Sequence, residues 1–361
     1  MSHYEKRLER DLTQLRDKVR TMGEMVEQML GNAVHSLLTG NSSLANNTVL
    51  SDHPINRAMR EIDRLCHAFI ALHLPSAGHL RFISSVIRLG IELERIGDYA
   101  VTICRQSLLL SHTPQGLMTT EVESIANEAQ RMLHQALSAF HDENVEVAKA
   151  TKGMSDHLET TLDSLYGNLM TGEHTKSNQD MFAILNILSM LKRTADQAKN
   201  ICEEAVFAVS GETKAKKTYK ILFLDKDNSC LSQMAVAIAR KNFPNSGSYS
   251  GAGRRKAHAL NPAMSSFLEQ KGFDMVDVEP VQLELTTKEL AEHQVIISLE
   301  GPVTDHIPEA PFHTVTLDWD SIEASDGLDE TQTTQRIEEM YRYLSVQIKN
   351  LMEILRGEGA D

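Results

Sequence analysis

The chain has 361 residues, 41% of them hydrophobic but only 5% aromatic, with 16 methionines and a net charge of -14. That length exceeds one small core and implies two or three domains, while the acidic balance excludes a nucleic-acid binder, which needs a basic surface to neutralise phosphates. No apolar run reaches transmembrane length and the charged N-terminus is not a signal peptide, so the expected location is the cytosol, with the membrane reached only through partner proteins.

Between residues 3 and 40, Leu8, Leu12, Leu15, Val19, Met22, Val26 and Met29 recur at helical spacing and predict one long amphipathic helix. Gly40-Asn41-Ser42-Ser43 breaks it. A second helix is expected over about 44–74, kinked near Pro54. Pro75-Ser76-Ala77-Gly78 is a turn, and a third helix follows over about 79–110. Thr113-Pro114-Gln115-Gly116 divides this half from the next, where helices are expected over about 120–141, 144–170 and 177–209. Three helices joined by short loops make an antiparallel bundle, so residues 1–111 and 112–211 read as two all-α bundles in tandem.

The third helix carries Glu94 and Asp98, four apart and therefore on one face, at the edge of an apolar stripe of Leu93, Ile96 and Ala100. An isolated pair of this kind is ordinarily solvated, but two half-buried carboxylates repel unless a cation neutralises them, and a hard metal ion bound through oxygen is one answer. This pair is not isolated. At a constant offset of 98 residues, Arg95 matches Arg193, Asp98 matches Asp196, Ala100 matches Ala198, Ile103 matches Ile201 and Cys104 matches Cys202. That is an internal repeat.

Residues 212–217 form a short basic linker, after which the pattern changes class. Tyr219-Lys220-Ile221-Leu222-Phe223-Leu224 reads as a strand, followed by a loop from Asp225 to Ser229 and a helix over about 230–240. Val295-Ile296-Ile297-Ser298-Leu299 and Thr314-Val315-Thr316-Leu317 read as further strands, and a closing helix is expected over about 336–355. Residues 218–361 are therefore expected as an α/β domain with a parallel sheet covered on both faces. Cys66, Cys104, Cys202 and Cys230 have no close pairing and are expected as reduced thiols.

The helical part resembles the phosphate-uptake regulator PhoU family. Met22-Gly23-Glu24-Met25-Val26-Glu27, Leu80-Arg81, Glu92-Leu93-Glu94-Arg95-Ile96-Gly97-Asp98 and Asn200-Ile201-Cys202-Glu203 carry the resemblance. It implies two three-helix bundles and a cytoplasmic regulator that works with a phosphate transporter ATPase and a sensor histidine kinase. It also implies metal clusters on paired E/D-x-x-x-D motifs, and it is compatible with a homodimer. Transferred to this chain, the first-repeat motifs are Asp52 with Asn56 and Glu94 with Asp98. The second-repeat motifs are Ser155 with Glu159 and Lys192 with Asp196, with Asn200 and Glu203 on the same side. Hard cations need several anionic oxygens, so the first repeat is the better candidate for a divalent or ferric ion (Fe, Zn, Mn or Mg). In the second an ammonium stands where an acid is expected.

The last part resembles the low-molecular-weight protein tyrosine phosphatase and arsenate reductase fold. The match runs from Ile221 through Asp225-Lys226-Asp227-Asn228-Ser229-Cys230-Leu231 to Ala235, with Ser250-Gly251-Ala252-Gly253, Leu260-Asn261-Pro262 and Val295-Ile296-Ile297 following in order. An active member carries C-x5-R on this loop: a thiolate at a helix start, a nest of backbone N–H groups and an arginine clamp. Here the cysteine position is Asp225, the arginine position is Leu231, and the expected general-acid Asp-Pro reads Glu323-Ala324. The domain is therefore expected to be a non-catalytic binding module, with Asp225 as a helix cap and Cys230 as a small buried residue. The alternative is an active phosphatase or arsenate reductase that uses Cys230 or Asp225.

Overall fold

Up to residue 210 the described secondary structure is entirely helical, as the apolar spacing requires. The computed structural model describes residues 3–115, 117–154, 158, 162, 165, 177–213, 216–283, 286–308, 310–311, 314–319 and 330–357. The chain divides into two units, Met1–Lys214 and Ala215–Asp361.

The first unit contains α1 (His3–Thr39), α2 (Ser42–Leu50), α3 (Asp52–Leu72), α4 (Ala77–Ser107), α5 (Leu117–His141), α6 (Val145–Gly153) and α7 (Asn178–Ser210). The single helix expected over about 44–74 is thus two helices, and the break falls at Ser51 rather than at Pro54. Pro54 is the third residue of α3, where a backbone N–H has no intrahelical acceptor to lose, so the ring is tolerated in the first turn. Asn41 caps α2 by accepting from Leu44 N, and Ser76 caps α4 by accepting from His79 N. Gly211 ends α7 with φ +74°, the left-handed conformation that glycine adopts without steric cost. Of the helix expected over about 144–170, residues 155–157, 159–161, 163–164 and 166–170, and with them Ser155 and Glu159, lie outside the described residues.

The two halves of this unit meet along α4 and α7. Arg88 donates to Glu204, Asn200 bonds Glu92, and Gln197 donates to the hydroxyl of Tyr99 at 3.3 Å. Residue numbers rise on one helix as they fall on the other, so the helices run antiparallel. Tyr99 and Gln197 occupy equivalent repeat positions, as expected where two halves are related by a pseudo-two-fold axis. Beneath the polar seam the apolar stripes close one continuous core through Val19, Met22, Leu89, Leu93, Ile96, Leu188 and Leu191, all fully buried. Among the described residues no helix is long and apolar enough to cross a membrane.

The second unit is an open four-stranded sheet, all parallel, in the order β2-β1-β3-β4: β1 is Tyr219–Asp225, β2 Gly247–Gly253, β3 Val295–Ser298 and β4 Val315–Asp318. The sequence reading supplied three of these strands. β2 is the addition, because its glycine- and serine-rich sequence has low strand propensity. Alternation along β1 sends Ile221 and Phe223 into one core with α8 (Leu231–Asn242), α9 (Pro262–Gln270) and α11 (Glu330–Arg356). Leu222 and Leu224 enter a smaller core on the other face with Leu290 of α10 (Thr287–Ala291). All-parallel pairing with helices on both faces is the doubly wound arrangement, whose functional crevice lies at the carboxyl ends of the strands where the strand order reverses, here between β1 and β3.

β2 passes unusually close to the loop after β1. A Cβ at Gly251 would stand 2.9 Å from Asn228 Nδ2, and one at Gly253 would overlap the backbone of Asp227. Gly253→Ala is expected to cost at least about 1–3 kcal/mol by forcing the two segments apart. Chemical unfolding of the full chain, followed at Trp319 in the second unit, measures it; an unchanged midpoint would show that the contact yields freely.

Candidate functional site

Asp52 begins α3 and Asn56 stands one turn further on, while Glu94 and Asp98 occupy successive turns of α4. The two helices approach at Gly97, where a Cβ would make ordinary contacts, 3.5 Å from Ile55 and 3.8 Å from Asp52 Oδ1. Asn56 Nδ2 donates to Asp52 Oδ2 at 2.6 Å. Asp52 Oδ1 is buried and has no hydrogen-bond partner. Burial, then the negative charges of Asp98 and Asp52, push the Glu94 carboxyl above the usual carboxylate range. Burial and then Asp52 do the same to Asp98. Asp52, Glu94 and Asp98 are therefore within electrostatic reach of one another, and ionisation of Glu94 and Asp98 is disfavoured.

A hard cation fits this donor set, which supplies carboxylate and amide oxygens and an orphaned buried oxygen. Among the described residues, however, no group of three or more His, Cys, Asp or Glu side chains is spaced to hold one metal ion as it stands. The cluster is an open set of repelling carboxylates rather than a closed cage.

The second-repeat residues are distributed differently. Asn200 faces the seam, beside Glu92, and donates to Gln197 Oε1 at 3.2 Å. Glu203 Oε1 lies 2.7 Å from Lys152 Nζ of α6. Lys192 and Asp196 sit one turn apart on α7, and Glu159 lies outside the described residues. The sequence reading gave no role to Arg88 and Glu204, and Glu92 entered it only as part of the motif around Glu94. Their signal was the four-residue spacing of 88 with 92 on α4 and of 200 with 204 on α7.

In the second unit the loop after β1 is closed by its own acids. Asp225 is buried; its Oδ1 accepts from Asn228 N at 2.5 Å and its Oδ2 from Ser232 N at 2.8 Å. Glu300, just past β3, accepts from Lys226 N at 2.8 Å, and Asp227 Oδ1 accepts from Ser229 N at 3.2 Å. Asn228, at φ +58°, locks the turn by accepting from Gln233 Nε2 and Val281 N and donating to Ser232 Oγ. Four backbone N–H groups at a strand-to-helix turn form an anion nest, and three carboxylates of the chain itself fill this one. Burial raises the Asp225 carboxyl and the backbone donors oppose it. Burial, reinforced by Asp225, Glu300 and Asp227, pushes the Cys230 thiol up to about 12. The sequence anticipated the Asp225 cap and the buried Cys230; it did not anticipate the parts of Asp227 and Glu300. Leu231 is buried in the apolar core, and Glu323 and Ala324 lie outside the described residues. All four cysteines are free and buried.

Residues 19–107 and 122–205 match the PhoU domain family. A phosphate-specific transport system accessory protein PhoU homolog of Pseudomonas aeruginosa is 32% identical over 216 residues, which span 58% of this chain and 88% of that protein. The crystal structure of PhoU from Pseudomonas aeruginosa superimposes with a TM-score of 0.52 at 30% identity, over 56% of this chain and 99% of that one. A further likeness is to an arsenate reductase in the phosphate binding state, at 21% identity and a TM-score of 0.32, over 38% of this chain and 99% of that one.

Glu94 and Asp98 have folded pKa values above their unfolded ones, so their contribution to stability is full below the unfolded pKa and is lost as pH rises through the folded pKa. In chelator-treated protein, Glu94→Gln is therefore expected to flatten the stability profile between about pH 4 and 7 and to raise the melting temperature at the upper end. Thermal melts across that range measure it. An identical slope in both proteins would mean that the Glu94 carboxyl is not raised by its surroundings.

Proposed function

The chain belongs to the PhoU family, and on that premise we propose that it is a cytosolic regulator of phosphate uptake and phosphate signalling that acts through protein–protein contacts. The observation that carries this reading is the match over both repeats to accessory proteins of the phosphate-specific transport system. Its partners on this reading are the transporter ATPase and a sensor histidine kinase, through which it reaches the membrane. Deleting residues 1–214, the first unit, is expected to abolish phosphate-responsive regulation. Retained regulation would overturn the reading.

The regulator carries a metal ion in its first repeat. Asp52, Glu94 and Asp98, with Asn56 beside them, would hold a divalent or ferric ion, which would neutralise the repulsion among them and draw α3 and α4 together. The supporting observations are the orphaned Asp52 oxygen and the raised carboxyls. Elemental analysis of the full chain should find metal that is lost in Asp52→Asn and Glu94→Gln. At about one hundred times its dissociation constant, the ion should stabilise the natural chain by about 2.7 kcal/mol. Metal retained by both variants would place it elsewhere.

The second unit acts as a non-catalytic binding module. Oxyanion chemistry needs free backbone donors, a nucleophile and a charged clamp. The donors here are taken by Asp225, Asp227 and Glu300, the nearby thiol is protonated at neutral pH, and the clamp position is an apolar core residue. Leu231→Arg would bury an unpaired charge, so restoring activity takes more than Asp225→Cys with Leu231→Arg. The full chain is expected to turn over neither an aryl phosphate nor arsenate. Turnover abolished by Cys230→Ser would identify an altered active site instead.

A further inference from the structure

At one end of the first unit, the N-terminal half of α1, the start of α4, the end of α5 and the end of α7 enclose a cavity of about 310 Å³. Its polar lining is made by Arg16, His79 and Arg81 together with two carboxylates, Glu9 and Glu143, and its apolar lining includes Phe82 and Phe140.

The two arginines differ. Arg16 lies over the Phe82 ring, 5.0 Å from its centroid, and its charge is met by Glu143 at 3.1 Å and Glu9 at 3.9 Å. Arg81 forms no ion pair or hydrogen bond among the described residues, and its Nε is buried without a partner. Packing holds it: a Cβ at Gly211 would lie 3.3 Å from Arg81 Cδ, so the closing turn of α7 clasps the stem. A terminal nitrogen reaches back over the start of α4, to 3.9 Å from where a Cβ of Gly78 would stand. There Ser76 takes the amides of His79 and Leu80 and leaves those of Ala77 and Gly78. His79 Nδ1 is also buried without a partner.

An unpaired guanidinium, an imidazole and the helix start at Gly78, all in the lining of one cavity, form a donor set for an oxyanion. A carboxylate would engage only the guanidinium fork; a phosphoryl group has oxygens for the amides as well. The cavity exceeds the volume of one phosphate; its two carboxylates, Glu9 and Glu143, are paired with Arg16, and an apolar wall stands beside Arg81, with Phe82 stacked on Phe140 at 6.1 Å between ring centroids. From this geometry we infer that the cavity binds a small phosphate ester, with its phosphoryl group on Arg81 and its organic part against Phe82 and Phe140. The inference is independent of the metal in the first repeat.

Calorimetric titration of the chelator-treated full chain with phenyl phosphate, and separately with inorganic phosphate, tests it. Chelation removes any phosphate that would bind through a metal ion. One saturable site per chain is expected, tighter for phenyl phosphate. Arg81→Gln is expected to weaken it by about tenfold or more and Arg81→Lys by less, because an ammonium keeps the charge but loses the fork. Arg131→Gln, on the exposed surface of α5, should leave it unchanged. Melting curves of each variant report folding; if Arg81→Gln does not fold, Arg81→Lys and His79→Ala carry the comparison. No saturable binding, or wild-type affinity in folded Arg81 variants, overturns the site and leaves Arg81 as a support for the end of α7. Equal affinity for the two probes overturns the role of the aromatic wall.

Discussion

A carboxylate withdrawn from water must be met by a donor or a cation, or it must hold its proton. The two units resolve this constraint in opposite ways. In the second, Asp225 is buried and accepts two backbone bonds, and Asp227 and Glu300 complete the closure of the same turn. Those bonds stabilise the loop and remove the donors that oxyanion chemistry would need. In the first, Asp52, Glu94 and Asp98 share one corner between α3 and α4 with only the Asn56 amide between them. That corner retains an unmet demand for positive charge, and the closed loop does not.

The acids of the loop after β1 act together rather than independently. A thiolate at position 225 would leave the amides of Asn228 and Ser232 facing outward for a ligand; a carboxylate reaches both of them itself. The glycines of β2 permit the tight approach that keeps this turn in place. The local order of this turn comes from Asp225 and Asp227 together with Glu300, which reaches it from just past β3.

Much of this was legible in the sequence because it is periodic. The 98-residue offset announced two related halves, and the change of period after the linker announced a sheet. The four-residue spacing of Glu94 and Asp98 was enough to place them together. What the sequence hid depends on encounters between distant elements. β2 has a glycine-rich sequence of poor strand propensity and exists because it packs against β1 and the loop that follows. Glu300 reaches Lys226 because β3 pairs beside β1 in register, a fact of topology rather than composition. Leu80-Arg81 stood out as family wording, yet the unpaired state of Arg81 becomes visible only when the end of α7 closes over it. The break at Ser51 was missed because proline is the louder signal, although the first turn of a helix accommodates it.

The contact between Tyr99 and Gln197 bears on how two copies of one bundle come to differ. In a symmetric pair of identical chains, a residue at the two-fold axis can meet only itself. Tyrosine would face tyrosine there, and an amide would face an amide. Once both halves lie in a single polypeptide that restriction is lifted, and each position across the seam can be chosen for its opposite number. A phenol oxygen against an amide donor at the axis is a pairing that covalent fusion makes available to duplicated bundles. Lys192 opposite the inheritance of Glu94 belongs to the same freedom: joined halves can specialise, one keeping its acids while the other gives them up.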